Sequence, residues 1–277
     1  LVIATRGIDL SVGAVMAICG AVSAWGITQG YDLGSTLLMA IVAGLVCGLW
    51  NGILVSFLGI QPIVATLILM VAGRGIAQLI TEGAILTFND PNLIFFGSGS
   101  LFTLPMPVII WIVTGLLITW IVRRTALGML IESVGINLRA STLAGINSRV
   151  LLIAVDVTSG FCAALAGIIA AADIRGADAN NAGLWLELDA ILAVVIGGTS
   201  LLGGRFSLIA SLIGAMIIQA VNTGILLSGF PPEFNLVIKA AIILIILVVQ
   251  SPAIRANMAF FRKAPSSDVA KKETVTQ

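Results

Sequence analysis

The residues that could do covalent or metal chemistry do not form a recognisable catalytic set. The sequence has no histidine and three cysteines, Cys19, Cys47 and Cys162, each inside an apolar run and without CxxC spacing. A Ser–His–Asp triad is therefore ruled out, and no metal site built from His and Cys is expected. Buried thiols that pack as small hydrophobic groups are the simpler interpretation. With neither paired carboxylates nor a nucleophile–base set, we do not expect an enzyme.

The polar side chains within apolar segments are instead candidates for contacting a transported solute. A charge in the apolar layer is costly unless it faces protein or water, which draws attention to Arg74. Gln78 lies four residues further on and so shares its helical face. For every candidate, interhelical hydrogen bonding or a structural pairing is the competing role. The translocation-pathway candidates are Asn51, Thr66, Arg74, Gln78, Gln219 and Asn222.

The stretch 127–147 interrupts the apolar sequence with small polar residues and is a candidate docking surface. Asn137 is a suitable N-cap and Gly145 a suitable helix stop, so Leu138–Ala144 is predicted to form about two helical turns, roughly 10 Å long. So short a helix is not stable alone. It would offer Leu138, Thr142 and the small Ala140, Ser141 and Ala144 to a groove in a partner. The alternative is a loop that only joins two membrane spans.

The elements that carry these residues are predicted to be membrane-spanning helices. Hydrophobic residues make up 59% of the chain and charged residues 10%, whereas soluble domains carry about 25% charged residues. A hydrocarbon core of roughly 30 Å requires about 20 apolar residues in a helix. The predicted class is all-α, a polytopic membrane helix bundle with about eight passes. The predicted passes are 11–29, 34–58, 63–80, 105–122, 150–172, 188–196, 206–227 and 235–249.

The domain organisation follows from the same pattern. Residues 1–250 are predicted to form a transmembrane domain that includes a cytoplasmic loop at 123–149, and 251–277 a disordered cytoplasmic tail. The opening LVIAT resembles the end of a helix, so the first helices of the fold are expected to be missing. Gly44, Gly48 and Gly52, at spacing four, predict a flat strip for close helix packing.

The charges predict an orientation. Basic residues such as Arg6, Arg123, Arg124 and Arg139 accumulate at alternate ends of the predicted spans, and more follow in the tail. By the positive-inside rule these ends are cytoplasmic, which places the loop 123–149 and the C-terminus inside. The opposite loops carry mainly acidic residues. The formal net charge of +1 gives no reason to expect nucleic-acid binding.

Three motifs carry a family resemblance. Residues 132–147 read ESVGINLRASTLAGIN, residues 7–13 read GIDLSVG, and residues 197–204 read GGTSLLGG. In their order along the chain, with apolar spans between them, they resemble the permease subunits of ATP-driven importers of the ribose and branched-chain amino acid type. Within that family, the stretches 60–78, 172–194 and 222–233 are most similar to galactofuranose permeases. The resemblance covers essentially the whole chain.

The resemblance implies a bacterial inner-membrane subunit that forms part of a pathway for a monosaccharide, with galactofuranose favoured and ribose or a related pentose as the alternative. It implies that ATP and Mg are bound by a separate cytoplasmic ATP-binding subunit, and no GxxxxGK[ST] loop is present here. No cofactor is expected on this chain. The implied ATPase-coupling residues are Glu132, Gly135, Asn137, Leu138, Arg139, Ala140, Ser141, Thr142 and Gly145.

Two further partners are implied. A second permease subunit, identical or different, would complete the pore, and a periplasmic sugar-binding protein would dock on the outer loops. The docking candidates are Asp173, Asp178 and Glu187. An ion-coupled secondary transporter is the alternative from another class. It would require acidic residues at mid-membrane and a repeated half, but Asp156 is the one clear intramembrane carboxylate and no convincing repeat is present.

Overall fold

The computed structural model describes residues 1–101, 103–229 and 233–250. Within these residues the chain forms eleven α-helices, a short 3-10 helix at Ile3–Thr5 and four two-residue strands. The predicted all-α class is confirmed. The predicted tail, 251–277, lies outside the described residues.

The first three α-helices agree closely with the predicted spans. They are α1 (Val12–Thr28), α2 (Leu33–Ser56) and α3 (Pro62–Ile80). Asp32 is the N-cap of helix α2. Its carboxylate accepts a hydrogen bond from the Ser35 amide at 3.1 Å, as is usual for an N-cap aspartate. Helix α3 begins with Pro62. Proline suits the first turn of a helix, because the N–H that it lacks would have no helical hydrogen-bond partner there.

The segment between α3 and the next long helix contains regular structure where no membrane pass is predicted. Strand β1 (Leu86–Thr87) is followed by helix α4 (Pro91–Ser98) and by the hairpin strands β2 (Ser100–Leu101) and β3 (Leu104–Pro105). The Asp90 carboxylate caps α4 by accepting hydrogen bonds from two backbone amides at 2.9 Å. Helix α4 packs against the end of a later helix, α8, so this segment is part of the folded body.

The central part of the chain contains four helices. They are α5 (Met106–Arg124), α6 (Leu127–Ile136), α7 (Leu138–Leu143) and α8 (Ser148–Ile174). The strand after them, β4 (Gly176–Ala177), pairs antiparallel with β1. This pairing fixes the C-terminal end of α8 to the segment after α3.

The last helices are α9 (Leu186–Ile196), α10 (Leu208–Leu227) and α11 (Glu233–Gln250). Helix α9 has 11 residues and is too short to cross a bilayer alone. Five helices of the described residues are long and apolar enough to cross a membrane, namely α2, α3, α5, α8 and α10. The count of eight passes stays a prediction.

The chain divides into two compact units, Leu1–Ile218 and Gln219–Gln277. The first unit contains a core in which α2 packs most extensively against α8, with α1 beside both. A Cβ on Gly44 would lie 2.6 Å from the Gly160 carbonyl oxygen, and one on Gly48 would lie 2.5 Å from the Asp156 carbonyl oxygen. The predicted glycine strip is confirmed, and it brings two helix backbones into contact.

Candidate functional site

The candidate docking surface, 127–147, contains the short helix that its capping residues predict. The Asn137 side chain accepts a hydrogen bond from the Ala140 amide at 3.0 Å, and Gly145 follows the helix with φ of +87°. Helix α7 ends one residue earlier than predicted, at Leu143. It is joined directly to α6, which gives this surface a corner of two helices.

The exposed face of α7 differs in part from the predicted one. Leu138 is 47% exposed and Leu143 is 90% exposed, and Arg139, Ala140 and Thr142 are exposed as well. Ser141 is only 5% exposed, so the prediction that it faces a partner is wrong. Its backbone oxygen accepts a hydrogen bond from Ile146, which folds the following turn back over it. Leu143 was missed because nothing local distinguishes it from other leucines.

The remaining residues predicted for coupling lie on α6. Glu132 is half-buried and Gly135 is buried. A Cβ on Gly135 would overlap the carbonyl oxygen of Ala4 and lie 2.8 Å from the Gly204 amide nitrogen. Two other segments of the chain therefore approach α6 closely at Gly135.

Two of the sequence motifs, 132–147 and 197–204, meet around this glycine with the residues just before the third. The Gly204 amide donates a hydrogen bond to the Ala4 oxygen at 2.9 Å, and Arg6 donates from Nη2 to the Ile136 oxygen at 2.6 Å. Ile136 is the last residue of α6, where backbone carbonyls lack helical partners and a cation is favourable. Arg6 thus connects the segment before α1 to the corner between α6 and α7.

A polar network continues from this segment into the interior. Asp9 accepts hydrogen bonds from the Ser11 hydroxyl at 2.6 Å and from the Ser159 hydroxyl at 2.7 Å. Asn51 donates to the same Ser11 hydroxyl at 2.9 Å. Ser11 is the residue before α1, but its side chain binds Asp9 instead of capping the helix. Asp156 is 8% exposed and is placed near Asp9, so it is not an isolated carboxylate.

The predicted pathway residues mostly contact protein. Asn51 is 2% exposed and belongs to the network just described. Thr66 donates to backbone carbonyls at 3.0 to 3.3 Å, one of them Ile8. Gln219 is exposed and Asn222 half-buried on the part of α10 that belongs to the second unit.

Arg74 and Gln78 hold the loop that follows β4. Arg74 donates to the carbonyl oxygens of Ala179 and Ala182 at 3.1 and 2.5 Å, and Gln78 donates to the Asn180 side chain at 2.8 Å. Both side chains also line a cavity of about 370 Å³. The structural pairing and the pathway role are therefore compatible.

The acidic residues predicted for docking occupy different environments. Asp173 is exposed and Asp178 is half-buried. A hydrogen bond from the Asn181 side chain, at 2.7 Å, and bonds from the amides of Asn180 and Asn181 hold the pKa of Asp178 below its usual value. Glu187 is 7% exposed. A surface contact is thus open to Asp173 and Asp178, whereas Glu187 faces the interior.

A second cavity, of about 240 Å³, is mostly apolar. Its polar lining residues are Asp9, Thr158, Ser159 and Glu187. None of the six predicted pathway residues lines it. The sequence does not show which helix faces meet, so the residues around this cavity could not be predicted from it. Only tertiary contacts bring α8 and α9 around this space.

These features define an integral membrane protein with a partly polar interior, as expected of a solute transporter. A model of the family described as "Branched-chain amino acid transport system / permease component" matches residues 1–247, and the chain belongs to this family.

Curated relatives agree with this assignment. The chain is 66% identical to the galactofuranose transporter permease protein of Escherichia coli K12 over 251 residues, which cover 91% of this chain and 74% of the relative. It is 44% identical to the fructose import permease protein of Bifidobacterium longum, with 93% and 74% covered. It is 36% identical to the ribose import permease protein of E. coli K12, with 91% and 79% covered. No solved structure matches the chain.

Proposed function

We propose that this protein is the permease subunit of an ATP-driven sugar importer in a bacterial inner membrane, and that it carries galactofuranose. The observation that supports this most directly is the 66% identity, over 91% of the chain, to a galactofuranose transporter permease. The fructose and ribose permeases, at 44% and 36% identity, favour a sugar as the substrate class. Ribose or a related pentose is the alternative substrate, because a ribose import permease is also similar to this chain, at lower identity.

The exposed corner between α6 and α7 supports a cytoplasmic partner. Leu138 and Leu143 are apolar and exposed on it, and Arg139 adds a charge beside them. An apolar anchor flanked by polar residues is the usual composition of a protein interface. The proposed partner is the ATP-binding subunit, which holds ATP and Mg and performs the hydrolysis.

The other partners follow from the proposed orientation. The C-terminus and the α6–α7 corner are cytoplasmic because basic residues gather at those ends. The loop after β4 then faces the periplasm, where Asp173 and Asp178 are available to basic residues of a sugar-binding protein. A second permease subunit completes the pathway.

An ion-coupled transporter is the competing proposal, and one observation bears on it. Asp156 lies near Asp9 and is 8% exposed, so the interior does hold neighbouring carboxylates. However, Asp9 is already engaged by two serine hydroxyls, and every relative named above is an import permease for a sugar. Proton or ion coupling is therefore the less supported mechanism.

The substrate is tested by uptake in cells that express the permease with its binding protein and ATPase. We expect labelled galactofuranose to accumulate, with excess unlabelled galactofuranose competing and excess ribose or fructose competing weakly. A strain lacking only the permease is the control. Accumulation of ribose in preference to galactofuranose would reject the substrate and keep the transporter class.

The ATPase partner is tested by deleting 138–144. The deletion variant should still insert into the membrane but should no longer co-purify with the ATPase. The matched control is Asn137→Asp, because aspartate also caps helices and should preserve the complex. Co-purification that survives the deletion would rule out α7 as the docking element.

A further inference from the structure

Glu187 is a buried residue whose carboxylate opens onto space inside the protein. The residue is 7% exposed, and among the described residues no group donates a hydrogen bond to its carboxylate. Its carboxylate oxygens are not enclosed without a partner, because the residue lines two cavities. A carboxylate that is free of protein hydrogen bonds and open to an interior space is available to a ligand there.

The surroundings of Glu187 keep its carboxylate accessible from inside the protein. It is the second residue of α9, where the helix dipole favours a negative charge. A Cβ on Gly13 would lie 3.0 Å from Oε2 of Glu187 and would overlap the Gly183 carbonyl oxygen. The glycine on α1 thus leaves room beside the carboxylate, and α1 and the loop before α9 approach closely at this level.

Glu187 also lines both of the cavities described above. The cavity of about 370 Å³ places it with Arg74 and Gln78. The cavity of about 240 Å³ places it with Asp9 and Ser159. Glu187 is therefore positioned where the two spaces adjoin, with polar groups on either side of it.

The chemistry of this position suits a ligand rich in hydroxyl groups. A carboxylate has two oxygens that accept hydrogen bonds, and it can receive two neighbouring hydroxyls of one ligand. A neutral polyol donates hydrogen bonds without introducing a charge into the apolar interior. Arg74 and Gln78 on one side, and Asp9 and Ser159 on the other, provide further polar contacts before and after this point.

We propose that Glu187 is a substrate-binding residue at the junction of the two cavities, where its carboxylate accepts hydrogen bonds from adjacent hydroxyls of the sugar in transit. This inference rests on the proposed function as a sugar permease. It assigns to the interior a residue whose sequence position suggested a surface contact with the binding protein.

The experiment measures uptake by proteoliposomes that contain the permease and its ATPase, supplied with saturating binding protein and labelled galactofuranose. The variants are Glu187→Gln, which keeps the size of the side chain, and Glu187→Ala. Glu82→Gln is the matched control, because it makes the same Glu-to-Gln change at an exposed carboxylate. Thermal stability and ATPase activity without binding protein are measured on each variant.

For both Glu187 variants we expect the uptake rate to fall about tenfold or more, as for the loss of one hydrogen bond to a charged group. Glu82→Gln should change it less than twofold, by about the size of a surface contribution. A deoxy analogue, lacking one hydroxyl, should be carried more slowly than galactofuranose by the wild type and at nearly the same rate by Glu187→Ala. This loss of discrimination separates substrate contact from a structural role.

Three results would count against the inference. Wild-type uptake rates in both Glu187 variants would overturn it while leaving the permease function intact. Discrimination against the deoxy analogue that is unchanged in Glu187→Ala would overturn the contact with sugar hydroxyls. Absence of sugar uptake by the wild type would overturn the proposed function, and with it this inference.

Discussion

Arg6 has a structural role that its position before α1 does not suggest. Its guanidinium donates a hydrogen bond to the last carbonyl of α6, and its side chain packs against Gly203. A single residue therefore holds together the three segments that carry the sequence motifs. The corner between α6 and α7 depends on this contact for its position relative to α1.

Replacing Arg6 with alanine should destabilise the corner by about 1 kcal/mol, since the contact is exposed and its hydrogen bond and its charge at a helix end each contribute modestly. The measurement is the free energy of unfolding in detergent, together with co-purification of the ATPase. Arg6→Lys should recover part of the loss because an ammonium group can also donate to the carbonyl. Equal stability of wild type and Arg6→Ala would contradict this role.

The contribution of Asp178, in the loop after β4, to the stability of the fold is expected to depend on pH. Its pKa is depressed in the folded protein, chiefly by the hydrogen bond from Asn181, so the ionised carboxylate stabilises the fold above its unfolded pKa of about 3.9. That stability is lost as the pH falls through the lower, folded pKa. Wild type should therefore melt at a higher temperature than Asp178→Ala at pH 7. The difference should shrink as the pH is lowered below 4, and a difference independent of pH would exclude this cause.

At the scale of elements, the packing of α2 on α8 depends on the absence of side chains at the contact. A methyl group at Gly44 would come within 2.6 Å of a backbone oxygen and of the Ala164 Cβ. Backbone atoms cannot yield as a flexible side chain does. The two helices would have to separate, and the core beside α1 would loosen.

Gly44→Ala should consequently lower the free energy of unfolding by about 1–3 kcal/mol, the usual cost of overpacking. Gly75→Ala is the matched control in α3, because nothing lies within 4 Å of its added Cβ. The control should be neutral or stabilising by up to about 1 kcal/mol through helix propensity. Equal effects of the two substitutions would show that close packing is not what the strip provides.

Helix α7 presents an exposed apolar side chain, Leu143, whose substitution tests the proposed contact with the ATPase. Leu143 is 90% exposed, so Leu143→Asp should leave the melting temperature of the isolated permease unchanged. The same change should weaken ATPase binding about tenfold or more if Leu143 anchors the interface. Titration of labelled ATPase onto proteoliposomes measures this. Leu184→Asp, at an apolar residue with 49% exposure in the outer loop, is the control for added charge.

For the molecule as a whole, local sequence patterns predict the helices, whereas contacts between residues far apart in the chain determine the candidate site. Asn137 and Gly145 predict α7 because caps act within a few residues, and the spacing of Gly44, Gly48 and Gly52 predicts one packing face. The bond between Arg6 and Ile136 joins residues 130 positions apart, which no local pattern encodes. Helix α4 was missed because its 8 residues are short and polar residues surround them.

Glu187 shows the same limit at the candidate site. Its place in an acidic stretch predicts an outward-facing residue, yet the approach of α1 buries it. The pathway candidates Arg74 and Gln78 can be selected from the sequence because a polar group in an apolar span is conspicuous by itself. Asp9 and Ser159 could have been noticed by the same rule, but their pairing depends on how α8 lies beside the segment before α1.

The central claim is that this permease moves a sugar inward at the expense of ATP hydrolysed by its partner. The most direct test reconstitutes permease and ATPase in proteoliposomes, adds galactofuranose-loaded binding protein outside, and compares internal ATP with an imposed proton gradient. We predict that galactofuranose accumulates only with ATP inside and binding protein outside. Accumulation driven by the proton gradient without ATP would contradict the claim and support an ion-coupled transporter.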